Sequence, residues 1–403
     1  MKFYKKITLT CFLLTIFVAP LAAQELNYVV PPENNYSYIS SYSNGLAKVE
    51  IDYDSTGFLN SSGKLVVSVP YNYNYTGNFH NDRAFFETKV DGDYKKGFFN
   101  KKGKVVIPPI YDKVKNFSNN RAAVKKDDRW KIIDRQGKTV MTDSLLITTR
   151  TIISAYSHSS RQEGREPPSF NNGLIRVKRK GEYGYADTTG KIVIPFKYES
   201  AENFKDGMAV VSPADAESEN YNWKLINTSG EVKYDFKDNQ FPQFDTYFSS
   251  DGKIIFMEER RGKRMIHHKY GVVNSKGEVI VQPTYSRKPF PYSDGVAIFQ
   301  VNGEQSDNKD GYMLVIDSTG TILSKIGFQT KYGTMYDSGH TFHDGLLAVK
   351  IQVNGEGTKW GYINKKGEFI IKPQFNTALN FQNDRAVVIT KQENLAIIKN
   401  PLE

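Results

Sequence analysis

Short runs of alternating apolar and polar residues follow one another along this chain in a fixed order. From 47 to 51, Ala47, Val49 and Ile51 alternate with Lys48 and Glu50, the period of two expected of a strand with one wet face. A second kind of run is clearest at 360–373, WGYINKKGEFIIKP. Tyr362, Ile363, Phe369, Ile370 and Ile371 are aromatic or β-branched, types that suit a pleated, half-buried surface. Between these arms lies Asn364-Lys365-Lys366-Gly367. The asparagine can accept hydrogen bonds from the following backbone and the glycine can take positive φ, so the spacing predicts a hairpin with a type I corner closed by a glycine bulge. Pro373 ends the second arm, because proline cannot donate to a ladder.

The corner recurs. Its glycine returns as Gly63, Gly103, Gly137, Gly190, Gly230, Gly277, Gly320 and Gly367, at intervals of 34 to 53 residues. Three places before each stands an Asx: Asn60, Asn100, Asp134, Asp187, Asn227, Asn274, Asp317 or Asn364. Such matched spacing marks an internal repeat. Upstream of the hairpins runs a bend motif: an aromatic, any residue, Asn or Asp, then Gly, Asn or Asp. Its copies begin at Tyr42, Phe79, Phe117, Phe170, Phe204, Tyr292, Phe342 and Phe381, with a looser one at Phe248. The fourth position, from Gly45 to Asp384, holds residues that tolerate left-handed backbone, so positive φ is expected there.

The first hairpin arm opens on an aromatic-glycine pair in Tyr183-Gly184, Tyr270-Gly271 and Trp360-Gly361. Trp130 and Trp223 share that column but are followed by Lys131 and Lys224. Because lysine is accepted there, the glycine is expected to give close packing and not to serve positive φ, and the tryptophans are expected to be core anchors. Proline followed by an aromatic (Pro109 and Tyr111, Pro195 and Tyr198, Pro283 and Tyr285, Pro373 and Phe375) reads as an extended crossover between units, with a turn of helix expected over 376–381. The chain starts mid-unit near Pro31 and ends mid-unit near Lys399, so the two half-units could pair to complete a ring or cover an open edge.

These patterns predict an all-β fold: a tandem array over residues 24–403 of about eight to nine units, each of three short strands, propeller-like or an open superhelix. The uneven intervals favour the open or imperfectly closed form.

The columns Trp360-Gly361-Tyr362-Ile363-Asn364 and Lys366-Gly367, the run to Pro373 and the bend at Phe342 resemble the bacterial WG-repeat family, also called KWG repeats. That resemblance implies a secreted or envelope β-repeat protein with interaction functions. It supplies no catalytic residue.

Composition narrows the setting. Lys2, Lys5 and Lys6 precede an apolar run that ends at Ala22 and Ala23, the form of a secretory leader spanning 1–23. A lipoprotein leader would need its cysteine at the far end of that run, whereas Cys11, the only cysteine, lies near its start. Cleavage would leave no cysteine, excluding disulfides, thiolate nucleophiles and cysteine-based zinc sites. No later window is apolar enough to span a membrane as a helix. The formal net charge of +10 spread over this length reports solubility more than a nucleic-acid partner.

If the units are scaffold, specificity belongs to what interrupts them: 143–169, expected to be largely mobile, and 213–221, 258–268, 303–310 and 327–341. The 258–268 interruption holds Arg260, Arg261, Lys263 and Arg264. They are either an anion-binding tip for phosphate or acidic glycan, or, as favoured here, a solvated loop partly neutralised by Glu258 and Glu259. His80 and His343 occupy the variable bend position and are expected to be exposed. His267 and His268 are adjacent and point to opposite faces of a strand. His340 and His343 lack a persuasive carboxylate partner for a metal, and Asp307, Asn308 and Asp310 lack the spacing of a calcium loop. No catalytic motif is present. The expectation is an exported, non-catalytic binding or scaffold protein without cofactor or metal, whose partner is a protein or envelope polysaccharide. The alternatives are an envelope enzyme acting on glycan or peptide, or a lectin-like protein.

Overall fold

The computed structural model describes residues 26–52, 55–70, 72–142, 169–214, 222–243, 252–262, 265–301, 311–338, 341–353 and 355–403. The leader and most of the 143–169 interruption lie outside them, as does the looser bend at Phe248.

Each corner folds as its residues dictate. At Asn60 the side-chain Oδ1 accepts the backbone N–H groups of Ser62 and Lys64, both at 3.0 Å, while the Gly63 N–H donates to the Asn60 carbonyl at 2.9 Å. Gly63 takes φ +77°. The same two side-chain bonds recur at the other seven corners. The recurring Asx is thus consumed in satisfying backbone donors.

The bends are tight two-residue hairpins. Ser43 and Leu46 exchange both backbone bonds, and positive φ occurs at the third position as well as the expected fourth, for example Asn44 at 52° and Gly45 at 81°. This is the type I′ turn, whose twist matches that of the flanking strands. The bend aromatics, Tyr42 to Phe381, are buried in the core.

Five of the sheets are four-stranded single units, one strand more than the three expected, while the seventh unit keeps three. In the first, Tyr38–Ile39 precedes the bend, and Ala47–Asp52, Ser55–Leu59 and Leu65–Ser68 follow in sequential antiparallel order. The extra strand is two residues long, too short to leave a period-two signature. No helix occurs among the described residues. Where a helical turn was expected, Thr377–Ala378 pairs with Arg385–Ile389 as a strand.

Among the described residues the strands form eight sheets arranged as a β-propeller. The largest has six strands and joins two repeat units through Ile192–Ala201. That strand closes one unit opposite Tyr183 and Tyr185, and its last residues Ser200 and Ala201 open the next opposite Ser212 and Val211. Nine units therefore occupy eight sheets.

The glycine of the hairpin arm has ordinary φ and serves packing, as expected. A Cβ on Gly361 would lie 2.7 Å from the Ile371 carbonyl oxygen and 2.8 Å from the Pro373 nitrogen, and Gly97, Gly184 and Gly271 face the same obstruction. The ladder register breaks at these points. Glycine lets the irregular fourth strand approach its neighbour.

The array closes, which corrects the lean toward an open form. Tyr28–Val30 pairs with Leu395–Lys399, supplying the ninth unit with its fourth strand from the other end of the chain. Uneven sequence spacing does not prevent closure, because the same contacts between neighbouring units recur around the ring. In the first eight units the corner glycine sits on the last strand of the unit before it: Gly103 on Val67, Gly190 on Met141, Gly230 on Ile194 and, across the seam, Gly63 on Val29. Val30, Val387 and Ile397 share one core with Val49 and Leu59 of the first unit.

Candidate functional site

The repeat columns are occupied by ring building. The third-position Asx of one bend accepts the fourth-position N–H of the next: Asn44 from Asp82 at 2.8 Å, Asn81 from Asn120 at 2.9 Å, Asp294 from Gly345 at 2.7 Å and Asp344 from Asp384 at 2.8 Å. These bonds link each bend directly to the next around the ring. Lys101 at 2.9 Å and Arg135 at 3.2 Å hold the Asp82 carboxylate. The hydrogen bond from Lys101 is the main cause of an Asp82 carboxyl held below its ordinary range. Trp130 and Trp223 are buried and Trp360 half-buried against the core, as expected of anchors. The buried phenols of Tyr185 and Tyr362 donate to the carbonyls of Glu202 and Leu379 at 2.6 and 2.7 Å, and burial pushes both far above the ordinary tyrosine range.

One polar cluster lies inside the joint of the six-stranded sheet. Arg176, nearly fully buried, donates to the Ala201 carbonyl and lies 3.8 Å from the Glu202 carboxylate. Burial raises the Glu202 carboxyl against the opposing pull of Arg176. The pair ties one unit's second strand to the next unit's entry, a structural use of two charges that need each other.

The interruptions differ in what they build. The 258–268 segment extends the hairpin of Ile254–Arg261 and Ile266–Val273. Arg260 is held by Glu258 and by the Pro283 carbonyl, both at 2.9 Å. Arg261 is exposed on the neighbouring, opposite-facing position, and Lys263 and Arg264 lie outside the described residues. At the tip Met265 and Ile266 are exposed, 64% and 52%, so the described part presents an apolar end beside separated arginines. His267 is exposed, and His268 stands 3.6 Å from Glu259. His80 and His343, expected to be exposed, are half-buried, and burial lowers both imidazoles. Bends crowd one another in the ring, which the isolated motif could not reveal. His340, Asp307, Asn308 and Asp310 lie outside the described residues.

The 327–341 interruption builds a concave site. Gln329–Thr330 and Gly333–Ser338 form an added hairpin beside Ile322–Gly327 of the seventh unit and Phe369–Phe375 of the eighth. Between them lies a cleft of about 470 Å³. Ile326, Met335 and Phe369 supply apolar wall, and Phe369 meets Tyr332 edge-on at 4.9 Å. Lys331 and Lys366 reach its rim, and the lining contains one carboxylate, Glu368, which accepts the Asn364 amide at 2.8 Å. The sequence marked this segment as an interruption. It gave no signal that Ile326 and Lys366, in the units on either side, would share one cleft with it.

On the first two units, Tyr38 and Tyr75 are exposed, 44% and 56%, and the Lys48 ammonium lies 5.4 and 5.6 Å from their ring centres.

The profile of the WG-containing repeat matches residues 97–130, 183–212, 270–304 and 360–391. Each stretch runs from a hairpin through the crossover and bend into the next unit, so the expected WG repeats are present. No curated protein matches the sequence. Among solved structures, a eukaryotic initiation factor is similar at 10% identity with TM-score 0.52, covering 92% of each chain. At that identity the likeness concerns the fold alone. BamB from Moraxella catarrhalis is similar at 11% identity and TM-score 0.37, over 90% of this chain and 96% of that one. The propeller domain of the Trilobed protease from Pyrococcus furiosus, titled as having an open velcro topology, is similar at 11% and 0.33, over 82% and 96%.

Proposed function

For a propeller carrying WG-containing repeats, we propose the role of a non-catalytic binding or scaffold protein of the bacterial envelope or exterior. One observation carries this reading: the repeated polar residues are spent on corners and on unit-to-unit bonds, while an interruption of the repeat builds a cleft on the resulting frame. A rigid scaffold presenting variable insertions is how repeat proteins divide architecture from recognition. The leader pattern at 1–23 supports export, and the partner is a protein or an envelope polysaccharide. The single carboxylate lining the cleft favours binding over hydrolysis by a carboxylate pair there.

The lectin-like alternative has its own observation in the exposed rings of Tyr38 and Tyr75, which offer flat faces to a sugar. The test is to incubate the purified protein with glycan and peptide arrays and analyse the ligands recovered. Retention of ligands that return chemically unchanged supports the proposal. Turnover abolished by replacing one or two carboxylates would replace it with the enzyme reading.

A further inference from the structure

Several lysines at or near the corners are paired: Lys101 with Asp82 at 2.9 Å, Lys365 with Asp294 at 3.2 Å and Lys233 with Glu231 at 2.7 Å. Lys331 and Lys366 line one cleft, and among the described residues neither meets a carboxylate within ion-pair distance. The Lys331 ammonium lies 5.1 Å from the centre of the Tyr332 ring, an aromatic face that leaves its charge uncompensated, while Lys325 turns to the Tyr312 ring on the other face of its sheet. The one acid of the lining is already engaged by Asn364.

We propose that this cleft binds a phosphate monoester carried on a group of sugar size. The inference rests on the binding-protein reading above and names its ligand class. Phosphate follows from the donor set: lysine ammoniums act as point charges suited to a tetrahedral dianion, whereas planar carboxylates are better matched by arginine forks, and the lining contains no arginine. Sugar size follows from a volume of about 470 Å³, which lies within the range of small-ligand sites. The apolar wall of Ile326, Met335 and Phe369 gives the C–H face of the sugar ring a surface to lie on while the phosphate faces the lysine rim. Gln329, whose side-chain oxygen accepts the Thr334 hydroxyl at 3.0 Å, keeps its amide N–H groups for a phosphate or sugar oxygen.

Titration of the full chain with glucose 1-phosphate, followed by phosphorus NMR, reads both binding and turnover. Saturable shifts are expected, about tenfold weaker in the double variant Lys331→Ala/Lys366→Ala and unchanged in Lys101→Ala, which removes a corner lysine outside the cleft. Glucose and glucuronate are expected to bind much more weakly. A second arm uses phosphatidylcholine vesicles containing phosphatidic acid: competition by vesicles assigns the phosphate to a lipid headgroup, and its absence assigns it to a soluble ester. Equal affinity for glucuronate, or unaltered affinity in the double variant with an unchanged melting temperature, would overturn the proposal. Release of inorganic phosphate would leave the cleft assignment standing and overturn the non-catalytic reading, so the two failures are distinct.

Discussion

The junction between the second and third units and the seam between the ninth and first use the same contacts, but only one of them depends on a strand contributed from the far end of the chain. At the internal junction Arg83 donates to the Arg135 carbonyl at 3.2 and 3.0 Å, and Gly137 rests against Ile107. At the seam Arg385 donates to the Ser61 carbonyl at 2.5 Å, and Gly63 rests against Val29. Corner on fourth strand, arginine on corner: the grammar is identical. The difference is connectivity. The internal fourth strand, Val105–Tyr111, continues its own hairpin, whereas the seam's fourth strand, Tyr28–Val30, is three residues lodged from the other terminus. Closure is thus a property of each unit's contacts, and its weakest point is where chain continuity does not enforce them.

The largest effect is expected from removing that strand. Deleting residues 26–34 strips the ninth unit of its outer strand and uncovers Val387 and Ile397, so unfolding should begin at much lower denaturant and the protein should associate through the bare edge of Leu395–Lys399. Chemical denaturation with light scattering reads both. The milder Val30→Asp, which buries a charge in the seam core, should cost about 3 kcal/mol.

The next contrast separates glycines that pack from glycines that only turn. A Cβ on Gly277 would lie 1.8 Å from the Lys233 carbonyl oxygen, so Gly277→Ala is expected to cost about 3 kcal/mol. Nothing lies within 4 Å of a Cβ on Gly173, and Asn120 already takes φ 60° at the equivalent place. Gly173→Asn should therefore stay within about 0.5 kcal/mol of the parent. Denaturation midpoints of the two variants decide it.

Smaller and more pointed is the arginine comparison. Arg83→Ala and Arg385→Ala should each cost about 1 kcal/mol. A seam arginine worth nothing while its internal counterpart matters would mean that the ring stands partly open.

The smallest effect is a change of slope. The Thr189 hydroxyl bond, with the backbone N–H groups of Thr189 and Lys191, holds the Asp187 carboxyl below its ordinary value of 3.8. A carboxyl depressed on folding stabilises above its unfolded pKa, and that stabilisation is lost as pH falls through the folded value. Asp187→Asn keeps the corner's acceptor, as five other corners already do, and should flatten the acid limb of the stability profile below about pH 4. Thermal melts across that range test it.

What was legible follows from where the physics is local. Corners were readable because Asn60 and Gly63 meet through bonds two to four residues apart, and the packing role of Gly361 because Lys131 shares its column. The two-residue strand that precedes several of the bends was invisible, since Tyr38–Ile39 is too short to alternate. Closure was misjudged because spacing along the chain says nothing of the contact between Gly63 and Val29. The burial of His80 and His343 was missed for the same reason, as it is set by neighbouring units. The lysine cleft draws Ile326, Lys331 and Lys366 from two units and an interruption, so only folding brings them together.

Ring closure through Tyr28–Val30 is tested most directly by a disulfide. Cα partners in adjacent strands lie within bridging range, and Tyr28 is paired with Ile398. In a Cys11→Ser background, Tyr28→Cys and Ile398→Cys should oxidise to an intramolecular crosslink in a monomer, with faster migration on non-reducing gels and a raised melting temperature. Thiols that stay free, or that form only intermolecular dimers, would contradict the closed ring.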